Sequence, residues 1–327
     1  GSKRAEEYPV TADHPTPEES EPDSTENTAL EDVIERSVPA PTKTPLFQAI
    51  HAERYQRQAI IRNIQERSGR RLICYVSGIK CSIDRDDTVP FVDLLHNVHP
   101  GEDLDLLLHT GGGDIDAAEK LISMVRNKVG TATLRIVVPD YAKSAGTLMV
   151  LGADFVVMSD TSELGPIDPQ IVLSDGNGNR ILHPIQSYLD AYDEHSETLK
   201  NEPGNIAAQI MLSKLDPATV KLFQAVKVRA QRFAEAQLVR GMFRNGGNWS
   251  LAASELLDTK RWLSHGQMIS WEDAAGPPIG LHVEYLDAKC DDWQEYWQLY
   301  CLQRLAVADR QKLYESDYAS LIIDGPA

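Results

Sequence analysis

Leu104–Asp114 reads LDLLLHTGGGD, and Val137–Thr147 reads VVPDYAKSAGT. In both, an apolar run gives way to small residues where a buried strand should end and a helix begin. The first segment offers bare backbone N–H groups, because Gly111, Gly112 and Gly113 carry no Cβ to shield them. The second presents Ser144 between small residues. A nucleophile beside backbone donors is what acyl transfer needs. Each segment alone has a plainer reading, a tight turn for the glycines and a helix cap for the serine. Their joint placement after consecutive strands favours the chemical one. Neither is a phosphate loop or a dinucleotide fingerprint, since the lysine-serine ending and the GxGxxG spacing are both missing.

Outward from these segments, strands and helices alternate. Arg71–Val76, Leu104–His109, Thr133–Val138 and Phe155–Met158 read as strands. Val89–Val98, Ile115–Lys128 and Ala145–Leu151 read as the intervening helices. Spacing of this kind implies right-handed βαβ units and a mainly parallel sheet, with ligands beyond the carboxyl ends of the strands. Past Gly165–Pro169 the texture changes. Asp175–Asn179 reads as a hairpin turn. Helices follow to about Asn245, one of them started by Asp216 as N-cap with Pro217 in its first turn. Leu251–Leu257, a segment starting at Ser270, and the aromatic stretch Trp293–Tyr300 read as further helices. A helix from Leu46 to about Arg67 has sparse apolar residues, a pattern suited to packing on a partner subunit.

Bulk composition narrows the function. A net charge of −17 over 327 residues leaves no basic stripe to neutralise phosphates, which argues against nucleic acid and against an anionic membrane surface. Cys74, Cys81, Cys290 and Cys301 form no CxxC pair and no zinc spacing, so they read as free thiols in a reducing, cytoplasmic compartment. No stretch approaches a membrane span and no signal peptide is visible. Gly1-Ser2 reads as a cloning remnant, which leaves the native start open. Residues 1–45, rich in Glu, Pro, Thr and Ser, cannot bury enough apolar area to offset their ordering entropy and read as a disordered acidic linker.

The block LDLLLHTGGGDIDAAEKLISMVR, followed by VVPDYAKSAGTLMVLGADFVVMSDTSELGPIDPQI, resembles the Clp protease/crotonase superfamily. Within it the chain is most similar to the serine dehydrogenase proteinase family, relatives of the signal peptide peptidase SppA. The resemblance is dense over Arg71–Ile171 and continues weakly to LSHGQMISWEDAAGPPIGLHV. It implies an α/β fold of stacked βαβ units with a mostly parallel sheet and a helical C-terminal arm. It implies a peptidase domain over 46–287 and a C-terminal helical extension over 288–327. It also implies Ser144 as nucleophile, Gly112, Gly113 and Ala145 as oxyanion donors, and a homo-oligomer. Crotonases would use the same amides to hold a thioester enolate, but they normally lack this serine, and their adenine-pocket pattern is not found here.

The general base is the open position. Where a Clp protease places its histidine, this chain reads Gly165–Pro169, and where the short SppA-like peptidases place a lysine it reads His183-Pro184-Ile185. Two candidates remain. Lys227 lies on the flank of a helical face with Phe223, Ala230 and Ala234, where burial would lower its pKa. His265 lies in Leu263–Gly266. Asp168 could orient a base or cap a turn. Lys143 is too close in chain to aim at Ser144 Oγ. Trp293, Tyr296, Trp297 and Tyr300 suit core or interface better than a ligand cage. The expectation is a cytoplasmic serine endopeptidase needing no metal or cofactor, acting on peptide or protein. The alternatives are a catalytically silent oligomeric scaffold whose acidic tail recruits a partner, and a crotonase-like acyl-CoA enzyme.

Overall fold

The computed structural model describes residues 43–174 and 180–325, so residues 1–42 of the expected linker and the predicted turn 175–179 lie outside the described residues. The chain divides into a unit ending at Ile50 and one running from His51. The first holds helix α1, Pro45–Ile50. The second begins with α2, Ala52–Ser68, which ends at Gly69 in the left-handed conformation (φ 68°). The helix expected from Leu46 to Arg67 is thus interrupted at His51.

The remaining order is β1 (Arg71–Ser77), α3 (Thr88–Leu95), β2 (Leu104–His109), α4 (Ile115–Val129), β3 (Leu134–Val137), β4 (Tyr141–Ala142), α5 (Ala145–Val150), β5 (Phe155–Met158) and β6 (Glu163–Leu164). Then come β7 (Gln170–Ser174), β8 (Arg180–Pro184), α6 (Ile185–Asn201), α7 (Ile206–Ser213), α8 (Pro217–Arg240) and α9 (Trp249–Leu256). The chain closes with α10 (Trp271–Ala275), β9 (Val283–Tyr285), α11 (Asp291–Ala306), β10 (Gln311–Glu315) and β11 (Ser320–Asp324). Seven strands form the main sheet in the order β11-β10-β1-β2-β3-β5-β9. The five from β1 to β9 run parallel, and β10 and β11 are antiparallel additions at one edge.

Every residue of β2 is buried, as a central strand covered on both faces requires. Side chains alternate between two cores. Leu104, Leu106 and Leu108 join Ile73, Tyr75 and Ile136 against α4 and α5. Leu107 joins Leu72, Cys74, Val76 and Val137 against α2 and α11, where Trp293, Tyr296 and Tyr300 are buried. The aromatic stretch is therefore core. It also occupies α2, whose buried residues Ile61 and Ile64 face the same cluster, so that helix packs within its own chain.

The expected C-terminal helical extension holds a helix and then two strands. Leu313 enters one core and Tyr314 the other, while backbone pairing with β1 fixes the register. Five residues with two buried apolar side chains give little local signal, and the partner strand lies at the other end of the chain.

Candidate active site

The glycine and serine segments are zipped together before either reaches its helix. Thr110 N–H donates to Tyr141 O and Lys143 N–H to Thr110 O, both at 3.0 Å. Gly112 (φ 104°) then passes so close to the serine that a Cβ there would lie 2.8 Å from Lys143 O and 2.9 Å from Ser144 Cβ. Gly113 (φ 150°) is bracketed by Ile83, which donates to Gly112 O (2.8 Å) and accepts from Asp114 N–H (2.9 Å). Asp114 caps α4 by accepting from Ala117 N–H at 2.9 Å.

Ser144 occupies the first central position of a tight turn, with φ 50° and ψ −113°, closed by Gly146 N–H to Lys143 O at 2.7 Å. This is a type II′ geometry, which glycine favours and serine adopts under strain. A strained strand-to-helix turn is how a nucleophile elbow lifts its hydroxyl out of the backbone. Ser144 makes no side-chain capping bond to α5, so the helix-cap reading is not realised. Thr147 secures the turn from behind, its hydroxyl bonding Ala142 O and Gly165 O at 2.8 Å.

The three expected oxyanion donors divide. Gly112 N–H already donates to Thr110 Oγ1 at 3.1 Å, so Gly112 contributes close approach rather than a free donor. The N–H groups of Gly113 and Ala145 find no acceptor among the described residues. Ser144 and Gly113 line a cavity of about 540 Å³ with Ile115, Pro169, Val226 and Arg229. Arg229 is held there by Asp116 (3.0 Å) and Glu119.

Of the two base candidates, the structure buries neither completely and treats them differently. Lys227 is exposed, which removes the desolvation expected for it, and it lines a separate small cavity with Asp168 and Pro169. His265 is partly buried and its Nδ1 lies 3.8 Å from Asp168 Oδ2. His265 Nδ1 and Asp168 Oδ1 are both buried and find no hydrogen-bond partner among the described residues. Lys143 ties this loop to the serine turn: its Nζ donates to Gly266 O (3.4 Å), Gln267 O (3.3 Å) and Leu164 O (3.3 Å) and pairs with Glu163 at 3.1 Å. Sequence reasoning missed Lys143 as a tether and Ile83 as a support. Neither carries a local signal, because each acts on residues far along the chain.

His109, at the end of β2, sits behind the loop with its ring against Tyr141 and Tyr300. Burial, aided by the Arg304 charge, pushes its pKa down to about 3, so it is neutral at pH 7. Among the described residues, no group of three or more His, Cys, Asp or Glu side chains is placed to share a metal ion, and no helix is long and apolar enough to cross a membrane.

A mostly parallel sheet with a strained serine turn and a glycine loop beyond adjacent strand ends defines an α/β protein with its candidate site at the carboxyl ends of the strands. Residues 47–199 match the family described as ClpP-like SDH-type serine proteinase. The chain is 43% identical over 181 residues to the uncharacterized protein MJ0137 of Methanocaldococcus jannaschii, covering 55% of this chain and 53% of that one. It is 32% identical over 99 residues to MJ1495 of the same organism, 30% of each chain. The chain thus spans about half the length of the first relative and less of the second. Among solved structures, ClpP1 from Listeria monocytogenes is similar at 10% identity and a TM-score of 0.36, covering 69% of this chain and 94% of that one. A mutant of the 1510-N membrane-bound stomatin-specific protease is similar at 16% identity and a TM-score of 0.28, covering 66% and 98%.

Proposed function

We propose that the chain is a serine endopeptidase in which Ser144 attacks a peptide carbonyl. One observation carries this reading: a strained serine with no capping bond stands at a cavity beside two backbone N–H groups that lack acceptors. In the proposed mechanism Ser144 Oγ adds to the carbonyl carbon, and its proton passes to His265. Gly113 and Ala145 N–H groups hold the developing oxyanion. Asp168 orients His265 and balances its charge. Collapse of the adduct returns the proton to the leaving amine, and water repeats the sequence on the acyl-enzyme.

The pairing with Asp168 and the Lys143 tether support His265 over Lys227 as the base. The substrate is an extended peptide laid beside the glycine segment. We also keep the expectations of a homo-oligomer, a cytoplasmic location and a partner recruited by the acidic tail. Ile206, Ile210, Leu222 and Val228, exposed on α7 and α8, support the first of these.

The test is intact-mass analysis after exposure to a fluorophosphonate probe. The wild type should gain one adduct and Ser144→Ala none. His265→Ala should slow labelling by a hundredfold or more on the order of general-base losses, whereas Lys227→Ala should leave it within about twofold. An unlabelled wild type would refute the peptidase reading. Reversal of the last two results would move the base to Lys227.

A further inference from the structure

The backbone of Ile83 makes both hydrogen bonds that bracket Gly113, so the position of Ile83 decides where the Gly113 N–H points. Ile83 leads directly into a capped turn. Asp84 Oδ1 accepts from Asp86 N–H (2.9 Å) and Asp84 N–H donates to Asp87 Oδ2 (2.8 Å). This turn is fastened to β10. Lys312 Nζ bridges Asp84 Oδ2 and Asp87 Oδ1, each at 2.8 Å. Tyr314 OH also donates to Asp87 Oδ1, and Tyr75 OH reaches Asp87 Oδ2 at 3.4 Å. The Lys312 side chain is 4% exposed and that of Asp87 is fully buried. In so dry a setting the charges hold each other strongly, and losing one leaves the others uncompensated.

We propose that Lys312 is a positioning residue for the oxyanion loop, fixing Ile83 through Asp84 and Asp87 and so fixing the Gly113 N–H. This rests on the reading of Ser144 as nucleophile and Gly113 as oxyanion donor. It places part of the catalytic geometry on a C-terminal strand, outside the family-matched residues 47–199.

The experiment compares the full chain with Lys312→Met, Lys312→Arg and Asp84→Asn. Asp84 is partly exposed, and asparagine keeps an acceptor for Asp86 N–H, so this variant serves if Lys312→Met fails to fold. Two quantities are read. Amide hydrogen exchange should speed up in peptides covering 82–87 and 110–114 but not in β3. The maximal rate of Ser144 labelling by a fluorophosphonate should fall about tenfold to a hundredfold, as expected for a displaced oxyanion donor. The probe concentration giving half-maximal rate should not move, and Lys312→Arg should recover part of the loss. A merely structural clamp would lower stability and spare the labelling rate of the folded fraction. Unchanged exchange at 110–114, or unchanged maximal labelling despite faster exchange, overturns the proposal. An unlabelled wild type overturns it together with the peptidase reading, and is told apart because no variant enters that comparison.

Discussion

Relief of the strain at Ser144 is measurable without a substrate. At φ 50° and ψ −113° a residue with a Cβ is strained by about 1–3 kcal/mol, whereas glycine adopts this conformation freely. Ser144→Gly removes that strain. Against the gain stands the larger backbone entropy glycine loses on folding, about 0.5–1 kcal/mol relative to alanine. Ser144→Ala is the proper reference, because it also lacks the hydroxyl but keeps the strained Cβ. Ser144→Gly should therefore exceed Ser144→Ala in stability by roughly 0.5–2 kcal/mol. For a unit of this size that is a Tm difference of about 1–3 °C. The assay is thermal unfolding followed by circular dichroism at one fixed protein concentration, since any assembly would shift both melting points. Both variants should be unlabelled by a fluorophosphonate, so the stability difference is separated from function. A glycine variant melting at or below the alanine variant would show that the turn stores no strain and that the elbow reading of Ser144 is wrong.

Acid should destabilise the chain partly through His109. Its folded pKa of about 3 lies below the ordinary 6.5, so below pH 6.5 the unfolded chain binds a proton that the folded chain refuses. Stability is therefore lost on acidification, by about 2 kcal/mol between pH 6.5 and 4.5. The denaturant-unfolding free energy of His109→Gln should lack this portion of the slope, and parallel slopes for the two proteins would refute the burial argument. Lys143→Met should cost about 1–3 kcal/mol, because three carbonyls and Glu163 lose their cation. It should also slow labelling of Ser144 by freeing the loop that carries His265. Full stability with full labelling would show that the tether is idle.

What the sequence makes legible is what local chemistry enforces. Leu104–His109 is an uninterrupted apolar run because both faces of β2 are covered, and the glycines at 112 and 113 are needed where a Cβ would strike Ser144 or Ile83. Such demands act over a few residues and leave a pattern. The parts that stay hidden are fixed across the chain. Lys143 binds a carbonyl 123 residues away, and Lys312 reaches back 225 residues to Asp87. A lysine in either place looks like any surface lysine until the fold brings its partners together. The same difference explains why the base was ambiguous. Ser144 and the Ala145 amide are set by hydrogen bonds within the segment 104–147, and Gly113 by the nearby Ile83, whereas His265 arrives on a loop more than a hundred residues on that meets the serine turn through the Lys143 tether and Asp168. A site divided in this way can keep its nucleophile and oxyanion donors unchanged while its base is supplied from different elements. The departure of this chain from the histidine and lysine positions of its relatives is therefore compatible with the peptidase chemistry proposed for its serine.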